Sequence, residues 1–262
     1  MRLVWAFIAS AVIGILGGLI GLGGAEFRLP VLVGIFQFST LHAVVINLAV
    51  SLVTVCFSFV FRASTIPFAQ VADSWPIILN LLTGSLFGSY LGVHFATKIN
   101  ERMLNRIVLV FLVFLGFVLI SHGSGSPEGG GLELASIVRM LLGVAAGVII
   151  GVFSSMLGVA GGELIIPTLL FLFSVDMKLA GSLSLAISIP TIIVGLLKYR
   201  SHDSFQVFVG QRDFLLVMAV GSIVGALAGS YLLPYISAHL LKTGVGVILL
   251  ISAVKLFYHR TR

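Results

Sequence analysis

The sequence predicts an all-α integral membrane protein built from two inverted repeats of about five helical segments each. Three observations carry that expectation: an apolar composition, an ungapped internal repeat, and a glycine-rich break inside each repeat. Of 262 residues, 59 % are hydrophobic and 9 % charged, and the mean hydropathy is +1.20. Too few polar groups remain to cover a water-facing surface, so lipid is the solvent for most of the chain. Apolar stretches near 41–61, 76–96, 104–121, 140–157, 180–197, 214–233 and 241–258 each approach the roughly 20 residues that cross a hydrocarbon core as a helix. No alternation of period two points to a barrel.

Charge and cysteine usage exclude several classes. The formal net charge is +6, but the basic residues sit at the ends of apolar segments. They lack the clustering and interleaved aromatics of a nucleic-acid surface, so no nucleic-acid partner is expected. Cys56 is the single cysteine, which rules out an intrachain disulfide and a cysteine-rich metal site. The six histidines show no metal-ligand spacing, and nothing in the pattern calls for a cofactor.

A shift of 137 residues aligns the two halves without a gap. Gly21-Leu-Gly-Gly-Ala-Glu-Phe-Arg-Leu-Pro30 falls on Gly158-Val-Ala-Gly-Gly-Glu-Leu-Ile-Ile-Pro167. Gly14 falls on Gly151, Ala43 on Ala180, and Gly84, Gly88 and Gly92 on Gly221, Gly225 and Gly229. The first apolar segment, with Arg2 ahead of it, resembles a secretory signal. Its twin at about 140–157 lies deep inside the chain, so it is read as a retained helix. The first membrane repeat then spans 3–121 and the second 140–258. A polar linker at 122–139, rich in Gly and Ser with Pro and Glu, separates them, and together they form one transport domain.

Inside each repeat the apolar run is interrupted at Gly21–Glu26 and at Gly158–Glu163, followed by short segments at about 27–38 and 164–175. Irregular backbone at membrane depth is tolerated only where protein buries it or it lines a wet cavity. Whether each break lies between full spans or in a re-entrant hairpin stays open, because both give an odd number of crossings. Odd parity inverts the second repeat. It also gathers Arg2, Lys98, Arg102, Arg106, Lys198, Arg200, Arg212, Lys255, Arg260 and Arg262 on one side, leaving Arg62, Arg139, Lys178 and Lys242 on the other. An even count would scatter them, so the positive-inside bias favours inverted repeats with both termini cytoplasmic.

Paired helix breaks in inverted repeats point to a transporter site at the repeat interface, near the bilayer midplane. Gly21, Gly23 and Gly24, with Gly158, Gly161 and Gly162, let backbone N–H groups turn towards a cavity, and Ala25 beside them is counted with the binding residues. The short helix after each break presents its positive dipole end there, which suits a small anion. The Gly84/Gly88/Gly92 series and its twin are assigned instead to close helix packing. Glu26 and Glu163 are the acidic residues placed within apolar segments, so they are functional candidates able to carry a proton along with an anion. Each also stands where a cap would satisfy orphan N–H groups, and both roles remain open. Arg28 aligns with Ile165 and breaks the symmetry where a cation can hold an oxyanion bidentately; pairing with Glu26 or snorkelling is the alternative. Asn47 and Ser51, aligned with Ser184 and Ser188, together with Ser182, form a polar line able to donate to a partly dehydrated anion or to join helices. Pro190 should loosen its helix.

The two glycine motifs, each ending in Pro, and the stretch Ala180-Gly-Ser-Leu-Ser184 resemble the sulfite exporter TauE/SafE family over essentially the whole chain. The resemblance implies a bacterial-type inner-membrane carrier for sulfur-containing anions such as sulfite or organosulfonates, driven by ion gradients. It touches Gly23, Gly24, Pro30, Gly161, Gly162 and Pro167 most directly. Ala25 stands where the family often has a third glycine, and Arg28 where it usually has an apolar residue. The expected function is therefore a proton-coupled secondary transporter, in the exporting direction, in contact with membrane lipid. A passive anion channel is the alternative. An intramembrane enzyme is the third reading, and its nearest candidate cluster is His122 with Ser121 and Ser124, which has no oxyanion-hole signature.

Overall fold

The computed structural model describes residues 1–100, 103, 106, 110, 136–200, 210–237 and 240. Nine α-helices occur among them. They are α1 (Arg2–Ile20), α2 (Ala25–Gly34), α3 (Thr40–Arg62), α4 (Phe68–Asp73), α5 (Trp75–Lys98), α6 (Ser136–Leu157), α7 (Gly162–Phe173), α8 (Met177–Tyr199) and α9 (Arg212–Leu232), the last followed by a 3₁₀ turn at Leu233–Tyr235. Six of these are long and apolar enough to cross a membrane: α1, α3, α5, α6, α8 and α9 with its 3₁₀ extension. The chain is an all-α membrane protein. The apolar stretches at 104–121 and 241–258, the linker at 122–135, and Ser121, His122 and Ser124 lie outside the described residues.

Helix boundaries follow the 137-residue shift closely. α2 and α7 begin at equivalent positions, α3 and α8 both begin and end at equivalent positions, and α5 and α9 begin together. Several boundaries differ from the sequence reading. α6 starts at Ser136, inside the span assigned to the linker, because Arg139 has a long stem and high helix propensity and does not end a helix. The short helices start two residues earlier than expected, at Ala25 and Gly162, since a helix forms as soon as the left-handed glycine before it has turned the chain.

α2 has 10 residues, a rise of about 15 Å, roughly half a hydrocarbon core. It does not cross; it turns back towards the end of the bundle where α1 began. There the Arg2 guanidinium lies 5.2 Å from the ring centre of Phe38 and 5.3 Å from that of Phe214. Phe36 meets Phe214 edge-on at 4.9 Å. The glycine break is thus the tip of a re-entrant pair, and α3 starts again from the same end.

The glycine series make close backbone contacts between helices. On α9, Gly221, Gly225 and Gly229 lie against the carbonyls of Phe7, Ala11 and Ile15 on α1; on α5, Gly84, Gly88 and Gly92 lie against those of Val144, Val148 and Val152 on α6. Each pair shares the 137-residue relation, and numbers rise together, so α1 runs parallel to α9 and α5 parallel to α6. The first helix of each repeat is therefore embedded in the third long helix of the other. Without hydrophobic drive between helices in lipid, such backbone approach is the main source of association. Ser10 Oγ adds a hydrogen bond of 2.6 Å to the Met218 carbonyl along the same seam.

A side chain at Gly225 would run into the backbone of α1, whereas one at Gly34 meets nothing within 4 Å. Gly225→Leu is expected to cost about 1–3 kcal/mol or more through overpacking, while Gly34→Ala stays neutral. Thermal unfolding of the detergent-solubilised protein, read by loss of monodispersity, checks both.

Candidate functional site

The breaks are built from glycine geometry and proline chemistry. α1 ends on Gly21, whose φ of +86° is the left-handed cap that hands its N–H to the Gly17 carbonyl. Gly24, with φ of +69°, then sets the chain into α2, as Gly161 with φ of +81° does for α7. Pro30 and Pro167 lie inside these short helices. Having no N–H, each leaves the carbonyl four residues back, that of Glu26 or Glu163, without its helical donor. Each break therefore pairs a carboxyl group with a backbone acceptor that the helix does not use.

The two breaks meet. A side chain on Gly23 would come within 3.0 Å of Ala160 Cβ, its own repeat-equivalent, and one on Gly162 within 2.9 Å of Leu22 Cα. Equivalent positions in contact mark the pseudo-symmetry axis. Glu26 and Glu163 face each other across it, within interaction range, with the Arg28 guanidinium near Glu26. Neither caps its helix: the capping positions are glycines without side-chain hydrogen bonds. All four carboxyl oxygens are buried without a well-formed hydrogen bond. Two carboxyl groups can share a hydrogen bond only when a proton lies between them.

Arg28 is fully buried and neither snorkels nor takes its hydrogen bonds from Glu26. Nη1 donates to Asn47 Oδ1 at 3.3 Å and to Ser51 Oγ at 2.9 Å, and Nη2 donates to Thr54 Oγ1 at 3.1 Å. Asn47 in turn donates from Nδ2 to the Ala25 carbonyl at 2.7 Å, fastening the first turn of α2 to α3. Arg28 Nε has no partner. The guanidinium is therefore held from one side by three α3 side chains while its Nε edge stays unspent. An edge of that kind is what a planar or tetrahedral oxyanion engages bidentately.

The polar line on α8 divides. Ser184 donates to the Gly21 carbonyl at 2.5 Å and so holds the opposing break. Ser182 accepts instead from Arg62 Nε at 3.1 Å, away from Arg28. Ser188 is buried one turn beyond Ser184. The structure thus brings together both breaks, both glutamates, Arg28, Asn47 and Ser51, with Ser184 against the break backbone; Ser182 joins a second cluster. All of these side chains are closed to solvent.

Sequence reasoning missed Thr54, Arg62 and Tyr199. Thr54 lies seven residues beyond Asn47, on the same helix face, and that spacing was the available signal. Arg62 reads as an ordinary topology marker at a segment end. Here it is buried and donates to the carbonyls of Gly18 at 3.0 Å, Leu19 at 2.9 Å and Lys178 at 2.8 Å. Tyr199, its repeat-equivalent, donates to the Ser155 carbonyl at 3.1 Å. Among the described residues no three His, Cys, Asp or Glu side chains gather as a metal site.

The family model for the sulfite exporter TauE/SafE matches residues 1–119 and 142–262. This chain belongs to the sulfite exporter TauE/SafE family. A "probable membrane transporter protein" of Xylella fastidiosa is 25 % identical over 254 residues, covering 94 % of this chain and 91 % of the relative. A relative of the same description from Methanocaldococcus jannaschii is 26 % identical over 239 residues, covering 85 % and 83 %. One from Bacillus subtilis is 29 % identical over 112 residues, 43 % of this chain and 39 % of that one. No solved structure matches the chain. As a TauE/SafE member with transporter relatives, the chain is a membrane transporter, and the assignment favours transport over catalysis.

Thr54→Val would leave the Arg28 Nη2 donor unpaired in the interior, and Asn47→Ala would remove one of the three Arg28 acceptors together with the hydrogen bond that fastens α2 to α3. Each is expected to cost about 1–3 kcal/mol, with Asn47→Ala the larger. Thermal unfolding of the two variants side by side tests the order.

Proposed function

We propose that this TauE/SafE member is a secondary carrier that moves a small sulfur-containing anion, such as sulfite or an organosulfonate, together with protons. The anion would bind where the two glycine breaks meet. The observation that carries this reading is the Glu26 and Glu163 pair with the buried, unpartnered Nε of Arg28 near Glu26. Two bare carboxylates repel an anion; protons on them cancel that repulsion and leave the guanidinium to attract it. Binding of anion and proton is then coupled by charge alone.

Inverted repeats are supported by helix direction. α5 runs with α8, since Ser85 meets Thr191 and Tyr90 meets Lys198. α3 runs against α8, since Arg62 meets Lys178 and Gly195 meets Leu48. With α1 parallel to α9 and α5 parallel to α6, the first helices of the two repeats point opposite ways. Such repeats exchange conformations to open a central site alternately to either side. The burial of every binding side chain fits an occluded step of that cycle and favours a carrier over a channel. The family's name speaks for export; a coupled carrier runs whichever way the summed gradients drive it. Placement in a bacterial inner membrane with both termini cytoplasmic belongs to this same proposal, supported by the positive-inside bias.

In proteoliposomes, Glu163→Gln is expected to abolish acceleration of sulfite flux by a pH gradient while folded protein remains; undiminished acceleration refutes proton coupling at Glu163. Arg28→Ala is expected to raise the half-saturating sulfite concentration by roughly tenfold to a hundredfold, the worth of one or two charge-assisted hydrogen bonds. An unchanged concentration dependence refutes the role of Arg28.

A further inference from the structure

Arg62 and Tyr199 occupy equivalent positions at the last residues of α3 and α8. Because α3 and α8 are antiparallel, they lie at opposite ends of the bundle, about 26–30 Å apart along the helices. Each reaches the same element of its surroundings. The Gly18 carbonyl bound by Arg62 and the Ser155 carbonyl bound by Tyr199 are themselves equivalent. Both carbonyls belong to the last turn of the helix that enters a glycine break, where the final four carbonyls have no helical donor.

The two attachments differ in strength. Arg62 binds two carbonyls of α1, one carbonyl of α8 and the Ser182 hydroxyl, so it ties three helices together. Tyr199 makes one hydrogen bond, to α6 alone. Gly181 leaves room for this arrangement: an added Cβ would stand 2.7 Å from Arg62 Nη2 and 2.6 Å from the Ile20 carbonyl. Asp176, the N-cap of α8, adds its charge to the same end. A cavity of about 10 Å³ is lined by Arg62 together with Leu19, Ile20, Met177, Lys178 and Leu233. That volume holds one water at most.

We propose that Arg62 and Tyr199 are the latches of the two ends of the transport path, and that their inequality makes the carrier rest closed at the Arg62 end. This rests on the alternating-access reading above. Opening the Arg62 end requires several charge-assisted hydrogen bonds to part together, because a half-freed buried guanidinium is left uncompensated. Opening the Tyr199 end breaks a single neutral one. Arg62 is a positioning residue here: it acts through the α1 end and the break, and contacts neither Arg28 nor the glutamates.

Leu19 and Met156 are repeat-equivalent, each 6 % exposed, and stand at the Arg62 and Tyr199 ends respectively. In a Cys56→Ser background, Leu19→Cys and Met156→Cys are alkylated with a membrane-impermeant maleimide in vesicles of both orientations. With the latches intact and no anion added, Met156→Cys should react roughly tenfold faster than Leu19→Cys. Arg62→Tyr copies the opposite latch and should bring Leu19→Cys to within about threefold of Met156→Cys; Tyr199→Phe should change Met156→Cys by less than about threefold. Equal rates with Arg62 intact, or a Leu19→Cys rate unmoved by Arg62→Tyr, overturn the proposal. If Arg62→Tyr does not fold, Arg62→Lys keeps the charge without the fork; an intermediate rise at Leu19→Cys supports the latch and an unmoved rate overturns it. Rapid labelling of both cysteines from opposite sides at once would sink the carrier reading itself, a separate outcome from loss of the inequality alone.

Discussion

The constraint on which the rest depends is the close approach of backbone to backbone between α1 and α9 and between α5 and α6. In lipid no solvent pushes apolar side chains together, so helices cohere where small residues let them touch over a long face. The touching faces belong to different repeats. That exchange draws the two re-entrant pairs against one another, so that the glycine tips meet on the axis instead of lining two separate pockets. The paired carboxyl groups, and the burial that gives them chemical interest, follow from where the seams force the tips to lie.

Symmetry explains much of the interior and its failure explains the rest. Breaks, prolines and glutamates are doubled. Arg28 is not: its equivalent is Ile165, and α3 answers with Asn47, Ser51 and Thr54 where α8 carries Ser184, Ser188 and Thr191. A buried cation with no repeat-equivalent gives a duplicated frame a direction. Buried ionic groups of this kind contribute little net stability, so their presence is better understood through what they hold than through what they stabilise.

Most of the fold was legible because its signals are local or periodic. Apolar length marks the spans, the 137-residue offset marks the duplication, and Gly-rich runs ending in Pro mark the breaks, though not that each break is the tip of a re-entrant pair. The Gly84 and Gly221 series were legible as packing faces, though not which helix each would receive, because partner choice is a non-local property that spacing does not encode. At the centre, Glu26, Glu163 and Arg28 stood out as costly residues inside apolar runs. Ser182 was grouped with its α8 neighbours by spacing, yet a serine hydroxyl follows the nearest strong donor, and that donor is Arg62. Arg62 itself was misjudged because an arginine at the end of an apolar stretch looks the same whether it points to headgroups or back into the protein.

The parallel seam between α1 and α9 also bears on how the protein is made. Ser10 and Met218, which meet along it, are 208 residues apart. At a synthesis rate of about 5–20 residues per second, the first helix waits on the order of 10–40 s for its partner to emerge. Throughout that interval its small-residue face is exposed to lipid or to whatever assists insertion, and until Ala160 and Gly162 emerge the tip that follows it has nothing to close against. Closure of the seam between α1 and α9 is therefore a late event, governed by arrival of the last helices and not by insertion of the first.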